Sequence, residues 1–454
     1  MISKNDVFTI EITDQDDRGQ GIGKTSGFPL FVRHAVMGDV VKVVVTKVKK
    51  TFGFARIVEF IERSPYRVEP ACPVYKRCGG CQLQNMDYAA QLEFKKTKVR
   101  ECLRRIGGFS DIEVCDTIGA ENIFRYRNKA QYPVGMDKDG KAVCGFFAER
   151  THEIIKCDDC LLSPEDFGGI TASVLEWLNE NGIRPYDEAS GKGLVRHIFL
   201  RKGFASGETA LCLVINGKKL PFADKLLEKM SAHKEITGIS YCVNTRRDNV
   251  ILGDKVVSIF GREYIEDMIG DIRYHISPLS FYQVNPEQTK KLYDKAVEFA
   301  SLSGSETIID LYCGIGTIGL YAARNAKKVY GIEIIPQAIE DAKENAKLNG
   351  LENAEFYAGA AEDVLPELYA NGLKKADVVI VDPPRKGCDE KTLSTIADIA
   401  PDRIVYVSCN PATLARDLKF MKEKGYEPVR VQPVDMFPMS VHCECVVRLE
   451  RKKI

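Results

Sequence analysis

The chain has 454 residues, 44% of them hydrophobic and 28% charged, and its 64 Lys+Arg balance 64 Asp+Glu to a formal charge of zero. At about 150 residues per domain this length implies roughly three domains, and the composition excludes a disordered chain or a single small module. Neutrality also excludes a protein held to nucleic acid or membrane by bulk charge alone, although a local basic face remains open. No apolar run approaches the ~20 residues of a membrane span, and Met1 to Ile10 has no signal-like apolar core. The 15 cysteines, scattered from Cys72 to Cys445, read as thiols, metal ligands or a nucleophile rather than a secreted disulfide framework. The expectation is a monomeric cytoplasmic protein with no membrane partner.

Residues 1 to 60 carry alternating stretches, Val7 to Ile12 and Val40 to Val45, broken by Gly19, Gly21, Gly23 and Gly27. That pattern predicts a small β-barrel. Lys24, Arg33, Lys42, Lys47, Lys49, Lys50 and Arg56 interleave with Phe28, Phe31, Phe52 and Phe54, which suits phosphates and stacked bases, or simply a solvated basic edge.

Residues 61 to 278 predict an α+β region. It opens on Cys72, Cys78 and Cys81, where Gly79-Gly80 lets the chain wrap tightly round one ion or cluster. A helix-like stretch from Tyr88 to Ile106, expected to pack on the last domain, is followed by strands and turns. A redox Cys78-x-x-Cys81 pair lacks the βαβ context it needs. The 75 residues between Cys81 and Cys157-x-x-Cys160 far exceed the ~15 to 20 of common zinc ribbons. Spacing alone leaves zinc and iron-sulfur open.

Residues 279 to 454 alternate apolar runs (Thr307 to Ile309, Val329 to Ile332, Val378 to Val381, Ile404 to Val407) with helix-like segments. Buried parallel strands with crossover helices give this rhythm, so the domain is expected to be a doubly wound α/β fold. Asp310-Leu-Tyr312-Cys-Gly314-Ile-Gly316-Thr317-Ile-Gly319 follows the first strand and contains G-x-G-x-x-G, a weak dinucleotide fingerprint. Asp310 before the glycines, and Glu333 only 14 positions after Gly319, favour S-adenosylmethionine over a nicotinamide cofactor. Glu333 would then accept hydrogen bonds from the ribose hydroxyls. Asp382-Pro383-Pro384-Arg385 and Ser408-Cys409-Asn410-Pro411 end two further strands at the same edge, where open α/β sheets bind ligands.

A cysteine at such an edge is a candidate nucleophile. Methylating uracil at C5 requires one, because C5 attacks a sulfonium methyl only after a thiolate has added at C6, and a base must then remove the C5 proton. His442-Cys443-Glu444-Cys445-Val446 supplies the base as Glu444. Strand alternation would send His442 and Glu444 to one side, Cys443 and Cys445 to the other.

Together with Phe281-Tyr282-Gln283-Val284-Asn285, these motifs resemble, over nearly the whole chain, the RNA uracil-5-methyltransferases. The resemblance is to the bacterial 23S ribosomal RNA branch, with an N-terminal TRAM barrel and a four-cysteine cluster. It implies a Rossmann-like methyltransferase domain, Cys409 as nucleophile and Glu444 as base. It further implies cofactor contacts from Gln283, Tyr312, Gly314, Gly316, Glu333 and Asp382, and a [4Fe-4S] cluster on Cys72, Cys78, Cys81 and Cys160, with Cys157 a possible substitute for Cys160. Thr317 and Gly359 depart from family asparagines at the cofactor. Tyr126-Arg127-Asn128-Lys129 matches a motif expected near the RNA. Transfer RNA as substrate, an inactive RNA-binding protein and a nicotinamide-dependent reductase are the alternatives.

Overall fold

The computed structural model describes residues 2–149, 151–373 and 375–452. Strands β1 (Val7–Gln15), β2 (Gly21–Thr25), β3 (Phe28–Val32), β4 (Val40–Val48) and β5 (Gly53–Glu62) close a barrel in the order β1-β2-β3-β5-β4. Alternation turns Ile10, Ile12, Leu30, Val32, Val41, Val43 and Val45 inward, and these side chains fill it. Gly23 is required by close approach, since a Cβ there would lie 2.6 Å from the Glu11 carbonyl oxygen.

Helix α1 (Tyr88–Cys102) is capped by Asp87, whose side chain accepts from the Ala90 backbone N–H at 2.8 Å. It widens into a π-helical turn, Leu103–Gly107, and stops at Gly108 with φ 73°. Its buried residues are Gln91, Lys95 and Val99, a stripe that is mostly polar. Strand β6 (Glu113–Val114) follows.

The central sheet comprises β7 (Lys129–Met136), β8 (Ala142–Phe147), β9 (Ile154–Lys156), β10 (Val195–Lys202), β11 (Thr209–Ile215), β12 (Ile236–Val243) and β13 (Lys255–Gly261), ordered β13-β12-β11-β10-β7-β8-β9. Helices α2 (Asp166–Glu180) and α3 (Ala223–Met230) share its core around Phe167, Trp177, Leu213 and Leu226. A hairpin, β14 (Ile265–Ile269) and β15 (Ile272–Ile276), leads to α4 (Pro286–Ala300).

The last sheet runs through β16 (Thr307–Leu311), α5 (Thr317–Ala323), β17 (Lys328–Glu333), α6 (Pro336–Leu348), β18 (Ala354–Ala358) and α7 (Ala361–Ala370). It continues with β19 (Val378–Val381), α8 (Glu390–Ile399), β20 (Arg403–Ser408), α9 (Pro411–Glu423), β21 (Tyr426–Val434) and β22 (Glu444–Arg451). The order is β18-β17-β16-β19-β20-β22-β21-β6. β16 to β20 are parallel, and β22 is antiparallel to both β20 and β21. This is the doubly wound arrangement, with its switch point between β16 and β19.

Chain order does not partition these bodies cleanly. Ile265, Ile272 and Tyr274 of the hairpin share a core with Leu292 and Val378. β6 pairs with β21, and Val99 and Leu103 pack with Leu414 and Leu418 of α9. Helix α1 is thus packed into the body formed by the last sheet. Among the described residues no helix is long and apolar enough to cross a membrane.

The join is fastened by a buried ion pair. Lys95 of α1 donates to Asp435, just after β21, and both side chains are 0% exposed. Lys95 also reaches the Phe437 carbonyl at 3.1 Å, and the Tyr88 hydroxyl donates to Asp435 at 2.9 Å. Removing one partner strands a buried charge, which costs about 3–5 kcal/mol. Asp435→Ala is therefore expected to lower unfolding stability by about that amount in a denaturant titration, whereas the double change Lys95→Met with Asp435→Leu should recover most of it.

Candidate active site

The chemistry-bearing residues of the last sheet converge at the carboxyl ends of its parallel strands. After β16 the chain passes through Tyr312 (φ 62°), Gly314 (φ 54°) and Gly316 (φ 81°). This left-handed sequence turns it sharply into α5. Tyr312 does so without a glycine's freedom, a strained position of the kind that gathers at functional sites. A side chain at Gly314 would meet nothing within 4 Å, so the loop is open there, whereas one at Gly316 would press within 3.0 Å of the Phe356 ring.

Four carboxyls face this crevice or its floor. Asp310 is buried: Oδ2 accepts from the Gly319 backbone N–H at 2.8 Å, while Oδ1 has no protein partner. Burial, then Asp382 and Glu333, push it up to about 8. Glu333, closing β17, accepts from the backbone N–H groups of Gly314 (3.3 Å) and Ile335 (3.0 Å). Asp382, after β19, is pushed up to about 7 by its removal from water. Glu444 opens β22, is 2% exposed and has Oε2 unpartnered. Burial and Asp382 hold it well above the usual carboxylate range.

Cys409 follows β20 and is half-buried. Desolvation, then Glu444 and Asp382, push its thiol up to about 11, and Arg385 acts in the opposite sense. Ser408 pairs with Cys445 across β20 and β22, so the antiparallel register carries Cys409 toward Glu444. The Arg385 carbonyl accepts from Asn410 Nδ2 at 3.1 Å and from the Thr413 hydroxyl at 3.3 Å, which ties the Arg385 loop to the cysteine turn. Arg385 also opposes the rise of Glu444. Its motif was legible in the sequence, but its electrostatic reach to both groups was not.

His442 departs from the alternation argument, because β22 begins only at Glu444 and His442 lies in the preceding loop. Cys443 and Cys445 do turn to the opposite core, with Val447 and Leu449. Gln283 is buried ahead of α4, and its carbonyl accepts from Asn128 Nδ2 at 2.9 Å. The Thr317 hydroxyl accepts from Tyr293 at 2.9 Å, and Gly359 donates its backbone N–H to the Glu333 carbonyl.

A second assembly lies beside this one. Cys72, Cys78, Cys81, Cys157 and Cys160 line one cavity of about 290 Å³ together with Arg127 and Lys129, and no carboxylate is among its lining residues. Burial raises Cys72 and Cys78 and pushes Cys81 up to about 12. It draws Lys129 down to about 7, helped by Arg201 and Arg127. A hydrogen bond from Cys157 lowers Cys160. Among the described residues no three His, Cys, Asp or Glu side chains are grouped closely enough to hold a metal ion, these cysteines included. The Tyr126–Lys129 segment therefore looks inward as well: Tyr126 donates to the Pro438 carbonyl at 3.0 Å, Asn128 braces Gln283, and Arg127 and Lys129 face the cysteines.

A family model described as tRNA (uracil-5-)-methyltransferase matches residues 247–452, and a TRAM domain model matches residues 4–58. An uncharacterized RNA methyltransferase of Halalkalibacterium halodurans is 51% identical over 452 residues, covering 99% of this chain and 98% of that protein. The chain belongs to the tRNA (uracil-5-)-methyltransferase family. Another relative, an uncharacterized RNA methyltransferase of Clostridium acetobutylicum, is 48% identical over 453 residues, 99% of this chain and 98% of that protein. Among solved structures, the Pyrococcus abyssi tRNA (uracil-54, C5)-methyltransferase in complex with S-adenosyl-L-homocysteine is similar, with TM-score 0.77 and 30% identity. The match covers 97% of this chain and 99% of that one.

Within this family member, the Arg385 cation opposes a thiol held up by burial and two carboxyls. Arg385→Ala is therefore expected to raise the Cys409 pKa further. The midpoint for alkylation of the Cys409 peptide by iodoacetamide, followed by mass spectrometry, should move to higher pH, and at a fixed pH below the midpoint labelling should slow about tenfold per pKa unit gained.

Proposed function

We propose that the chain transfers a methyl group from S-adenosylmethionine to C5 of a uridine in 23S ribosomal RNA, with Cys409 as nucleophile and Glu444 as base. The observation that carries this reading is a half-exposed thiol and a buried, unpartnered carboxyl approaching each other across β20 and β22.

The crevice fits a cationic cofactor. The carboxyls of Asp310 and Asp382 are both raised, and Asp310 Oδ1 is buried without a partner, so a positive group nearby would relieve them. Gln283, Tyr312, Gly314, Gly316, Glu333 and Asp382 would hold S-adenosylmethionine, which supplies an electrophilic methyl group when bound. The target base leaves its stack to reach the thiol. Cys409, as thiolate, adds to C6 and pushes the ring electrons toward C5, which can then be methylated. Glu444, as carboxylate, takes the C5 proton. The C–H electrons restore the C5–C6 double bond, and the Cys409 sulfur leaves C6 with its bonding pair. Burial favours the protonated form of each group, and Arg385 acts in the opposite sense on both.

RNA contacts would come from the barrel. Phe31, Phe52 and Phe54 group their rings at 5.4 to 5.8 Å among lysines, which suits stacking and phosphate contact. The barrel and cysteine assembly together support 23S RNA. The likeness to a transfer-RNA enzyme favours transfer RNA as the second reading.

The cysteine cavity fits an iron-sulfur cluster by its chemistry. Thiols surround a volume rather than a point, and a thiolate-bound cluster is an anion that Arg127 and Lys129, with no carboxylate lining the cavity, would balance. Cys72, Cys78, Cys81 and Cys160 would hold it, with Cys157 beside Cys160. Uracil methylation has no redox step, so the cluster's part would be structural.

Incubation with isotope-labelled S-adenosylmethionine and unmodified 23S or transfer RNA transcripts, read by nucleoside mass spectrometry, is expected to give labelled 5-methyluridine in 23S RNA alone. Label only in transfer RNA would replace the substrate, and none in either would sink the methyltransferase reading. Protein purified without oxygen should contain about four iron and four sulfide per chain. Cys160→Ser should lose most of it and Cys157→Ser should not; stoichiometric zinc in place of iron would contradict the cluster.

A further inference from the structure

We infer that α1 positions the reaction centre through Gln91 and Lys98, an inference that rests on the uracil-methylation reading. Residues 435–443 connect β21 to β22 and end at Glu444. Met439 within them has φ 69°, a conformation that costs a non-glycine residue energy and persists only where its surroundings fix it. Gln91 is fully buried and does part of that fixing. Its Oε1 accepts from the Met439 backbone N–H at 3.0 Å, and its Nε2 donates to the Leu83 and Met86 carbonyls at 3.1 and 2.9 Å. The Met439 carbonyl in turn accepts from the backbone N–H groups of Gln82 and Leu83, each at 3.0 Å, immediately after Cys81.

About two helical turns further on, Lys98 makes the parallel connection to the barrel. Its ammonium donates to the Val441 carbonyl at 3.0 Å and to the Asp17 carbonyl at 3.1 Å. The barrel turn is seated on the same spot, since a Cβ at Gly19 would lie 2.9 Å from Leu83 and 3.2 Å from Val441. Residues 91, 95 and 98 fall on one face of the helix.

A helix serving only as packing would bury an apolar stripe. This one directs Gln91, Lys95 and Lys98 to the main chain of a segment that has no strand ladder, where an unmatched carbonyl or N–H would be costly. The barrel, the cysteine loop and the residues leading to His442 and Glu444 are thereby fixed to one another. Gln91 and Lys98 touch neither cofactor nor uracil in this scheme. They are positioning residues, and what they position is the base and the wall next to it.

The step most exposed to their loss is removal of the C5 proton. If Glu444 is displaced, Cys409 still adds and C5 is still methylated, but the adduct cannot expel the sulfur. Gln91→Met and Lys98→Met are tested on whichever RNA transcript the wild type methylates. Expected for each is a kcat lower by about 10- to 100-fold, S-adenosylmethionine affinity within about twofold of wild type, and a denaturant-stable, methyl-labelled RNA adduct that Cys409→Ala abolishes. Lys98, at the helix surface, keeps the test available if Gln91→Met fails to fold. Wild-type turnover in Lys98→Met, or slow turnover without adduct and with cofactor affinity lost in parallel, would overturn the inference. Failure of the wild type to methylate either transcript would overturn the uracil-methylation reading instead, before any variant is compared.

Discussion

The structure depends on one buried interaction, the ammonium of Lys95 set against the carboxylate of Asp435 with no water access to either. Charges so deep are stabilising only when every remaining valence is matched. Here Tyr88 and the Phe437 backbone N–H serve Asp435, and the Phe437 carbonyl takes a second Lys95 N–H. Gln288 extends the network by donating to the Asp435 carbonyl at 2.9 Å. Apolar residues of similar size could provide comparable stability. What the polar set adds is register, because a slip of one residue on either side would leave several buried groups unmatched.

That register matters because the segment it fixes leads directly into Glu444. The other residues of the proposed site are built on regular strand ends: Asp310 and Tyr312 at the end of β16, Asp382 after β19, Cys409 after β20. A parallel sheet delivers these without further help, since its carboxyl edge is where the loops open at the switch point. Glu444 comes from an antiparallel strand, and its approach depends on how the nine residues before it are held. The crevice is electrostatically unfavourable in the free protein, with raised carboxyls and one opposing arginine. It is arranged for groups that arrive from outside.

The cysteine assembly follows the same logic. Its thiols, Arg127 and Lys129 would be poor choices for an ordinary core, yet they lie between the barrel, the central sheet and the loop that Met439 turns. Gln82 and Leu83, adjacent to Cys81, bond to Met439. A group held by these cysteines would therefore stiffen the loop that leads into Glu444.

Much of this was legible in the chain. The barrel, the alternating α/β rhythm, the glycine loop, and Asp382 and Cys409 at strand ends all follow from local periodicity and turn chemistry, which neighbours in sequence determine. The pairing of Cys409 with Glu444 was legible from the chemistry that C5 methylation needs and from motif resemblance, but the β20–β22 register that brings the two together was not. The inward role of Arg127 and Lys129, the orphaned Asp310 oxygen, the loop placement of His442 and the polar stripe of α1 were not legible. The α1 stripe and the Tyr126–Lys129 segment depend on partners far along the chain: Lys95 and Asp435 are 340 residues apart, and Tyr126 and Pro438 are 312 apart. Local pattern records which face of an element avoids water. Which distant polar group satisfies a buried donor is decided only when the domains pack, because until then water satisfies it equally well.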